Sequence, residues 1–202
     1  MKTFETNPYK KIHSKDLIMM PWKNGGGMTT EIARGGKRTK NSDWGWRVSI
    51  AVVETNGPFS IFRGIERTMS IIEGNGMDLD SPDGESFTLS LFKIVKFDGE
   101  TVLKGRLRHG SVKNFNVMVD RNLFDAYLEI INTRTQVTSS VGPNSIVLIH
   151  QVKGAITKIK HDQNFTSLAA QETIVFENNK LIEVQSPSNS LLAIVRINKK
   201  HN

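Results

Sequence analysis

The strongest constraint on this chain is an alternation of apolar residues with a period of two, broken repeatedly by turn-forming residues. In Trp46–Val53, Trp46, Val48, Ile50 and Val52 share one face, while Arg47, Ser49, Ala51 and Val53 share the other. β-Branched runs of the same kind recur at Thr68–Ile72, Asn116–Val119, Tyr127–Ile131, Ser145–Ile149, Ala155–Ile159, Thr173–Phe176 and Leu191–Ile197. Between them stand Asn56-Gly57-Pro58, Glu73-Gly74-Asn75-Gly76, Ser81-Pro82-Asp83-Gly84, Asp98-Gly99, Val141-Gly142-Pro143-Asn144 and Ser186-Pro187-Ser188-Asn189. Many short strands at this spacing predict an all-β chain, an antiparallel sandwich or barrel. Helix is predicted only over His13–Leu17, with Ser14 as N-cap, and as a turn near Ile61–Ile65.

The 202 residues suit one large β domain or two small ones. A faint repeat favours two. Gly76 with Met77–Leu79 matches Gly154 with Ala155–Ile159, and Phe97-Asp98-Gly99-Glu100 matches Phe176-Glu177-Asn178-Asn179, 79 positions later. Val117 and Val119 match Val195 and Ile197 at an offset of 78. Two related β units, 1–120 and 121–202, are the expectation.

The formal charge of +7 invites a search for a polyanion partner. Residues 1–47 carry ten Lys/Arg against four Asp/Glu, and the remainder of the chain is nearly neutral. The basic residues are scattered, as in Lys10, Lys11 and Lys15 or Lys37, Arg38 and Lys40, with no helix-spaced stripe or aromatic-interleaved basic strand. Lys37–Lys40 read as solvated loop charge, and no nucleic acid is expected. No run approaches the roughly 18 apolar residues of a membrane span, and Met1–Glu5 lacks a signal core. Together with the absence of cysteine, which removes disulfides, thiolate ligands and cysteine nucleophiles, this points to a soluble cytoplasmic protein, monomeric or homodimeric.

The segment with the most chemistry is Met20-Pro21-Trp22-Lys23-Asn24-Gly25-Gly26-Gly27-Met28-Thr29-Thr30-Glu31-Ile32-Ala33. Three glycines permit positive φ and let backbone N–H groups converge on an anion. The ending lacks Gly-Lys-Ser/Thr and no βαβ context follows, which excludes nucleotide loops. A tight β bend or bulge explains the same glycines equally well.

This segment resembles the hallmark of the HutD/Ves family. The resemblance continues through Trp46-Arg47-Val48-Ser49-Ile50-Ala51, Gly57-Pro58-Phe59-Ser60, Phe62–Gly64 with Arg67, and Ile71-Ile72-Glu73-Gly74. Phe97-Asp98-Gly99 and Val112–Met118 complete it, and beyond residue 120 it is loose. The resemblance implies a bicupin, two cupin-type β units in one chain. It also implies links to histidine utilisation or stress response, and small-molecule binding that moderates pathway flux without a settled enzymatic activity.

Catalytic cupins pair a His-x-His with a carboxylate and a third His. None of His13, His109, His150, His161 and His201 stand two apart, so neither metal nor other cofactor is expected. His109 and His150 read as strand or loop residues, and His161 and His201 as solvent-facing. Glu31 and Glu73 are the candidate carboxylates for an acid–base pair, and no catalytic residue is assigned.

What remains is recognition. Arg47 and Arg67 lie on or beside apolar strands, where a guanidinium must meet a carboxylate of the protein, such as Glu31 or Glu73, or of a ligand. The predicted ligand site joins Arg47 and Arg67 to Lys23, Gly25, Gly26, Gly27, Thr29, Glu31 and Ser49. Asn24, Asn114 and Asn116 supply amides, and Trp22 and Trp46 an apolar wall, although a plain core role is the first reading for each tryptophan. Phe59, Phe62, Phe92, Phe97 and Phe115 read as core. The leading function is non-catalytic binding of a small carboxylate. The rivals are a metal-independent isomerase or hydrolase in the same pocket, and an interaction protein docking an acidic partner.

Overall fold

The computed structural model describes residues 9–37, 43–132, 135–178, 180–187 and 189–200. The predicted features at Met1–Glu5, Arg38, Lys40, Asn179, Ser188 and His201 lie outside them. Nineteen strands and a single 3-10 turn, Ser14–Asp16, make up the regular structure of the described residues, so the chain is all-β. The helix expected over His13–Leu17 shrinks to that turn, and Ile61–Ile65 holds none. Both segments are too short to nucleate a helix, and each leads into a strand.

Two compact units divide the chain, one of Leu17–Leu128 with Lys200 and one of Glu129–Lys199 with the first segment up to Asp16. The boundary therefore differs from a cut at 120. The first strand, β1 (Tyr9–Ile12), also falls with the C-terminal residues, because it completes their sheet beside Thr173–Phe176. Lys11 and His13 secure it, lying 2.8 and 2.7 Å from the Glu172 carboxylate.

In the N-terminal unit, β2 (Ile18–Pro21), β3 (Gly27–Gly35), β4 (Trp46–Val53), β6 (Ile65–Glu73), β9 (Ile94–Asp98) and β11 (Val112–Asp120) form an antiparallel sheet ordered β2-β3-β4-β11-β6-β9. A second sheet, ordered β5-β10-β7-β8, comprises β5 (Gly57–Pro58), β7 (Met77–Asp80), β8 (Ser86–Leu89) and β10 (Lys104–Leu107). Strand β4 has the predicted bounds. Gly57–Pro58, expected in a turn, is instead the short strand β5, paired with Lys104–Gly105.

The C-terminal unit repeats this plan. Strands β14 (Ser145–Lys153), β17 (Thr173–Glu177) and β19 (Leu191–Lys199) join β1 in a sheet ordered β1-β17-β14-β19-β12, whose last strand, β12 (Phe124–Ile131), carries the chain across the unit boundary. Strands β13 (Thr135–Val141), β15 (Thr157–His161), β16 (Asn164–Leu168) and β18 (Lys180–Ser186) form a sheet ordered β13-β18-β15-β16. The ladders β6–β11, β6–β9, β7–β8, β7–β10 and β10–β5 recur as β14–β19, β14–β17, β15–β16, β15–β18 and β18–β13. Even a bulge is duplicated. Ile72 is skipped in the pairing of β6 with β11, and Val152 in the pairing of β14 with β19.

Each unit buries its own core. Val53, Met69, Ile71, Met77, Leu79, Leu89, Phe97, Leu103 and Val112 cluster in the first. Ile149, Ile159, Leu168, Ile174, Phe176, Ile182, Val184, Leu192 and Ile194 belong to the cluster in the second, with Tyr9 against it. Complete burial of a side chain of this size is worth roughly 1.5–3 kcal/mol.

The histidines depart from expectation in one respect. His161 is buried, not solvent-facing, because it stands on β15 at an edge-on 5.0 Å from the Tyr9 ring. His150, on β14, is fully buried with Nδ1 2.8 Å from Thr173 Oγ1, and burial lowers its pKa from 6.5 to about 3. Burial would raise the Glu172 carboxyl, but hydrogen bonds from Lys11, the Ala169 amide and His13 outweigh it and hold the pKa at about 2. The unfolded chain takes up a proton on His150 near pH 6.5 that the folded chain refuses until about pH 3. Stability therefore falls as pH drops below 6.5, by up to about 1.4 kcal/mol per pH unit from this residue. Glu172 adds a loss in the same direction between about pH 4.5 and 2. Urea midpoints measured from pH 7.5 to 4 should fall steadily, and His150→Gln should flatten the slope between pH 6.5 and 5.

Candidate functional site

The glycine run makes the turn of a β hairpin. Trp22 N–H donates to the Gly27 carbonyl at 2.9 Å and Gly25 N–H to the Trp22 carbonyl at 3.0 Å, joining β2 to β3. Gly25 sits at φ +68°, and Gly26 N–H is taken by Asn24 Oδ1 at 3.1 Å. The Gly25 and Gly26 amides are thus spent inside the turn, and the expected backbone cradle for an anion gives way to the tight bend. The third glycine answers to close packing. A Cβ on Gly27 would stand 2.1 Å from the Val52 carbonyl oxygen and 3.2 Å from the Trp22 ring. The turn delivers Trp22, whose Nε1–H donates to Thr29 Oγ1 at 2.8 Å.

The next ingredient is the inward face of the six-stranded sheet. Pairing aligns Ala51 with Asn114, Ser49 with Asn116 and Arg47 with Met118 across β4 and β11. It then aligns Asn116 with Met69 and Met118 with Arg67 across β11 and β6. Because Val53 and Val112 at one end of this face belong to the core, the same face is apolar there and polar towards Arg47 and Arg67. A cavity of about 540 Å³ lies over the polar part. Its lining includes Trp22, Lys23, Asn24, Thr29, Arg47, Ser49, Arg67, Asn114 and Asn116 from the predicted set. Pro21, Ala51, Pro58, Phe59, Ser60, Phe62, Met69 and Met118 also line it. Ala51, Met69 and Met118 were legible from strand parity with Ser49, Arg67 and Asn116, whereas nothing in the sequence separated Phe59 and Phe62 from the core.

Gly25, Gly26, Gly27, Glu31 and Trp46 do not line the cavity. Trp46 has the opposite parity to Arg47 and covers Gly35, where a Cβ would fall 2.5 Å from its ring. Glu31 accepts from Arg47 Nε at 2.8 Å and lies 3.4 Å from Arg34, which reaches Asp43 at 3.1 Å. Glu73 pairs with Lys113 at 2.9 Å on the exposed edge. Each carboxylate of the expected acid–base pair therefore has its own cation.

Arg67 is different. Only 6% exposed, it reaches the Ser60 carbonyl and Asn116 Oδ1 at 3.5 Å each, and its Nε lacks a partner among the described residues. The rings of Phe59, Phe62 and Phe97 surround the guanidinium, with centroids 5.4, 5.5 and 5.1 Å from Cζ. Burial, then repulsion from Arg47, lowers its pKa to about 10, so it stays charged at neutral pH. Asn114, 2% exposed, also keeps a buried Oδ1 without a partner. Among the described residues no three His, Asp or Glu side chains converge on one point. The cavity lining itself offers two arginines and a lysine, a set that repels a cation and attracts an anion.

A HutD family model matches residues 14–193. The chain belongs to the HutD family. An uncharacterized 21.2 kDa protein in the hutC 3' region of Pseudomonas putida is 34% identical over 129 residues, 64% of this chain and 67% of that protein. Protein Ves of Escherichia fergusonii is 38% identical over 119 residues, 57% of this chain and 61% of Ves. Among solved structures, the conserved protein PA5104 of Pseudomonas aeruginosa PAO1, described as of unknown function, superposes with a TM-score of 0.85. It is 26% identical over 95% of this chain and 100% of its own. HutD of Pseudomonas fluorescens SBW25 gives 0.77, also at 26%, over 96% and 100%. The bacterial pirin YhhW of Escherichia coli, 8% identical at a TM-score of 0.65, shares the fold alone, which is cupin-like.

The hairpin yields a paired prediction. Gly27→Ala should lower stability by about 1–3 kcal/mol, because the added methyl meets backbone and ring. Gly25→Asn, in open space with an asparagine-tolerant φ, should cost under about 1 kcal/mol. Urea denaturation of the two variants checks the contrast.

Proposed function

We propose that this HutD family member is a bicupin whose N-terminal unit binds a small carboxylate-bearing metabolite without turning it over. The binding moderates flux, with histidine utilisation the pathway the family points to. The observation that carries this reading is Arg67, a buried guanidinium in a cavity with no carboxylate of the described residues paired with it. Leaving such a charge uncompensated is costly, and an incoming carboxylate relieves the cost. Asn116, Asn114 and Ser49 supply hydrogen-bonding groups along the same wall, while Trp22, Phe59 and Met69 supply apolar contact. The volume, about 540 Å³, falls in the usual range for small-molecule pockets. The duplicated ladders support the bicupin reading.

A free metabolite, rather than nucleic acid or membrane, is the proposed partner, in the cytoplasm and with the protein as monomer or homodimer. Among the described residues no helix is long and apolar enough to cross a membrane. The isomerase or hydrolase alternative loses ground because neither Glu31 nor Glu73 lines the cavity.

A thermal-shift screen with urocanate, N-formylglutamate, N-formiminoglutamate, formate, other simple carboxylates and sugars tests the proposal. The P. fluorescens HutD structure is described under a formate condition, and formate is the smallest carboxylate of the set. A ligand at a hundred times its Kd should stabilise the protein by about 2.7 kcal/mol. Arg67→Met should abolish that shift, yet leave the unliganded Tm unchanged or higher, since it removes an uncompensated buried charge. Arg47→Ala should weaken binding by about ten- to a hundredfold. Carboxylate binding that survives Arg67→Met intact would refute the proposal.

A further inference from the structure

The charges around the cavity are not equally available to a ligand. Arg47 lines it, but its Nε is committed to Glu31 at 2.8 Å. Glu31 lies 3.4 Å from Arg34, and Arg34 lies 3.1 Å from Asp43. These four side chains form a neutral chain, two cations and two anions, running from the cavity wall to the surface. Lys23 also lines the cavity but is exposed, where solvent and salt screen its charge. Subtracting the neutral chain and the screened lysine leaves one positive charge, that of Arg67.

We infer that Glu31 is a specificity-determining residue: without touching the ligand, it cancels Arg47 so that the enclosed part of the cavity accepts one negative charge and rejects two. The inference rests on the carboxylate-binding reading and deepens it, since it names the charge class of the ligand. A monoanion completes the Arg67 site. A compact dianion must bury a second charge beside Arg47, whose guanidinium is already held by Glu31, and it meets the Glu31 carboxylate through that contact. Glu31 is a positioning residue as well, because its two oxygens face Arg47 and Arg34 and hold Arg47 against the cavity wall. A purely structural part for Glu31 would alter affinity for all ligands alike. A charge-setting part alters the ranking of ligands that differ only in charge.

Succinate and its half-amide, succinamate, have nearly the same shape and differ by one charge at pH 7.5. Calorimetric titration of the wild-type protein should favour succinamate by about tenfold or more. In Glu31→Gln the released Arg47 becomes a second anchor, and the ratio should move towards succinate by about tenfold or more. Arg47→Gln, which leaves Glu31 without its partner in the cavity wall, should move the ratio the other way. It provides an independent arm if Glu31→Gln does not fold. A ratio unchanged in Glu31→Gln, or a shift towards succinate in Arg47→Gln, overturns the role of Glu31 while leaving carboxylate binding in place. Failure of both compounds and of every simple carboxylate to bind the wild type overturns the carboxylate reading itself, and this inference with it.

Discussion

A guanidinium enclosed by protein is tolerable only if something around it compensates for lost water, and the N-terminal unit is arranged around that requirement at Arg67. Three phenylalanines present ring faces or edges to it, and two long hydrogen bonds take part of its donor capacity. None of these carries a full negative charge. Cation–π contacts of about 0.5–2 kcal/mol each keep the side chain folded and ionised but fall short of an ion pair. The charged residue that acts on it, Arg47, is repulsive. The shortage of negative charge around this residue is what gives the cavity its chemical character, and the sheet, the hairpin and the phenylalanines fix where that shortage sits.

Much of the scaffold was legible because sheet parity is a short-range property. The alternation in Trp46–Val53 fixed β4 and placed Arg47 and Ser49 on one face, and the same parity applies to Asn114 and Asn116. The faint offset of 78 that equates Val117 with Val195 is the same offset that the ladders give to β11 and β19. Pairing partners were another matter. Which arginine holds Glu31 depends on β3 lying beside β4 with a bulge at Ile32, and no local pattern encodes that register. Arg47 and Arg67 were therefore equivalent in the sequence, although one is paired and the other is not. His161 was misplaced for a related reason. It sits among polar neighbours in sequence, yet its strand turns it towards Tyr9, 152 positions earlier.

The glycine run shows how a distinctive motif can act at one remove from the cavity it helps to shape. Its amides are consumed in closing the turn, and its lack of side chains lets the Trp22 ring lie over Gly27 and the β4 backbone come close. With Trp22 tied to Thr29, the rigid bend becomes a wall of the cavity. The motif therefore places the side chains that line the cavity: conformational freedom at Gly25 and the missing side chain at Gly27 serve geometry more than anion recognition.

The recurring ladders show where the two units differ in side-chain chemistry. Ladder register equates Arg67 with Val147, since Met69 and Ile149 occupy matching places two residues further along β6 and β14. The partners of those strands then equate Asn114 with Leu192 and Asn116 with Ile194. Val147, Leu192 and Ile194 all belong to the apolar cluster of the C-terminal unit. The same backbone positions thus take a polar set in one copy and branched aliphatic side chains in the other. An aliphatic set stabilises its unit through burial, roughly 1.5–3 kcal/mol per side chain, whereas the polar set gives that contribution up. Giving it up at three neighbouring positions, one of them a charge, is consistent with the binding face proposed above. The C-terminal unit, filled at those positions, keeps the ladders without the polar face.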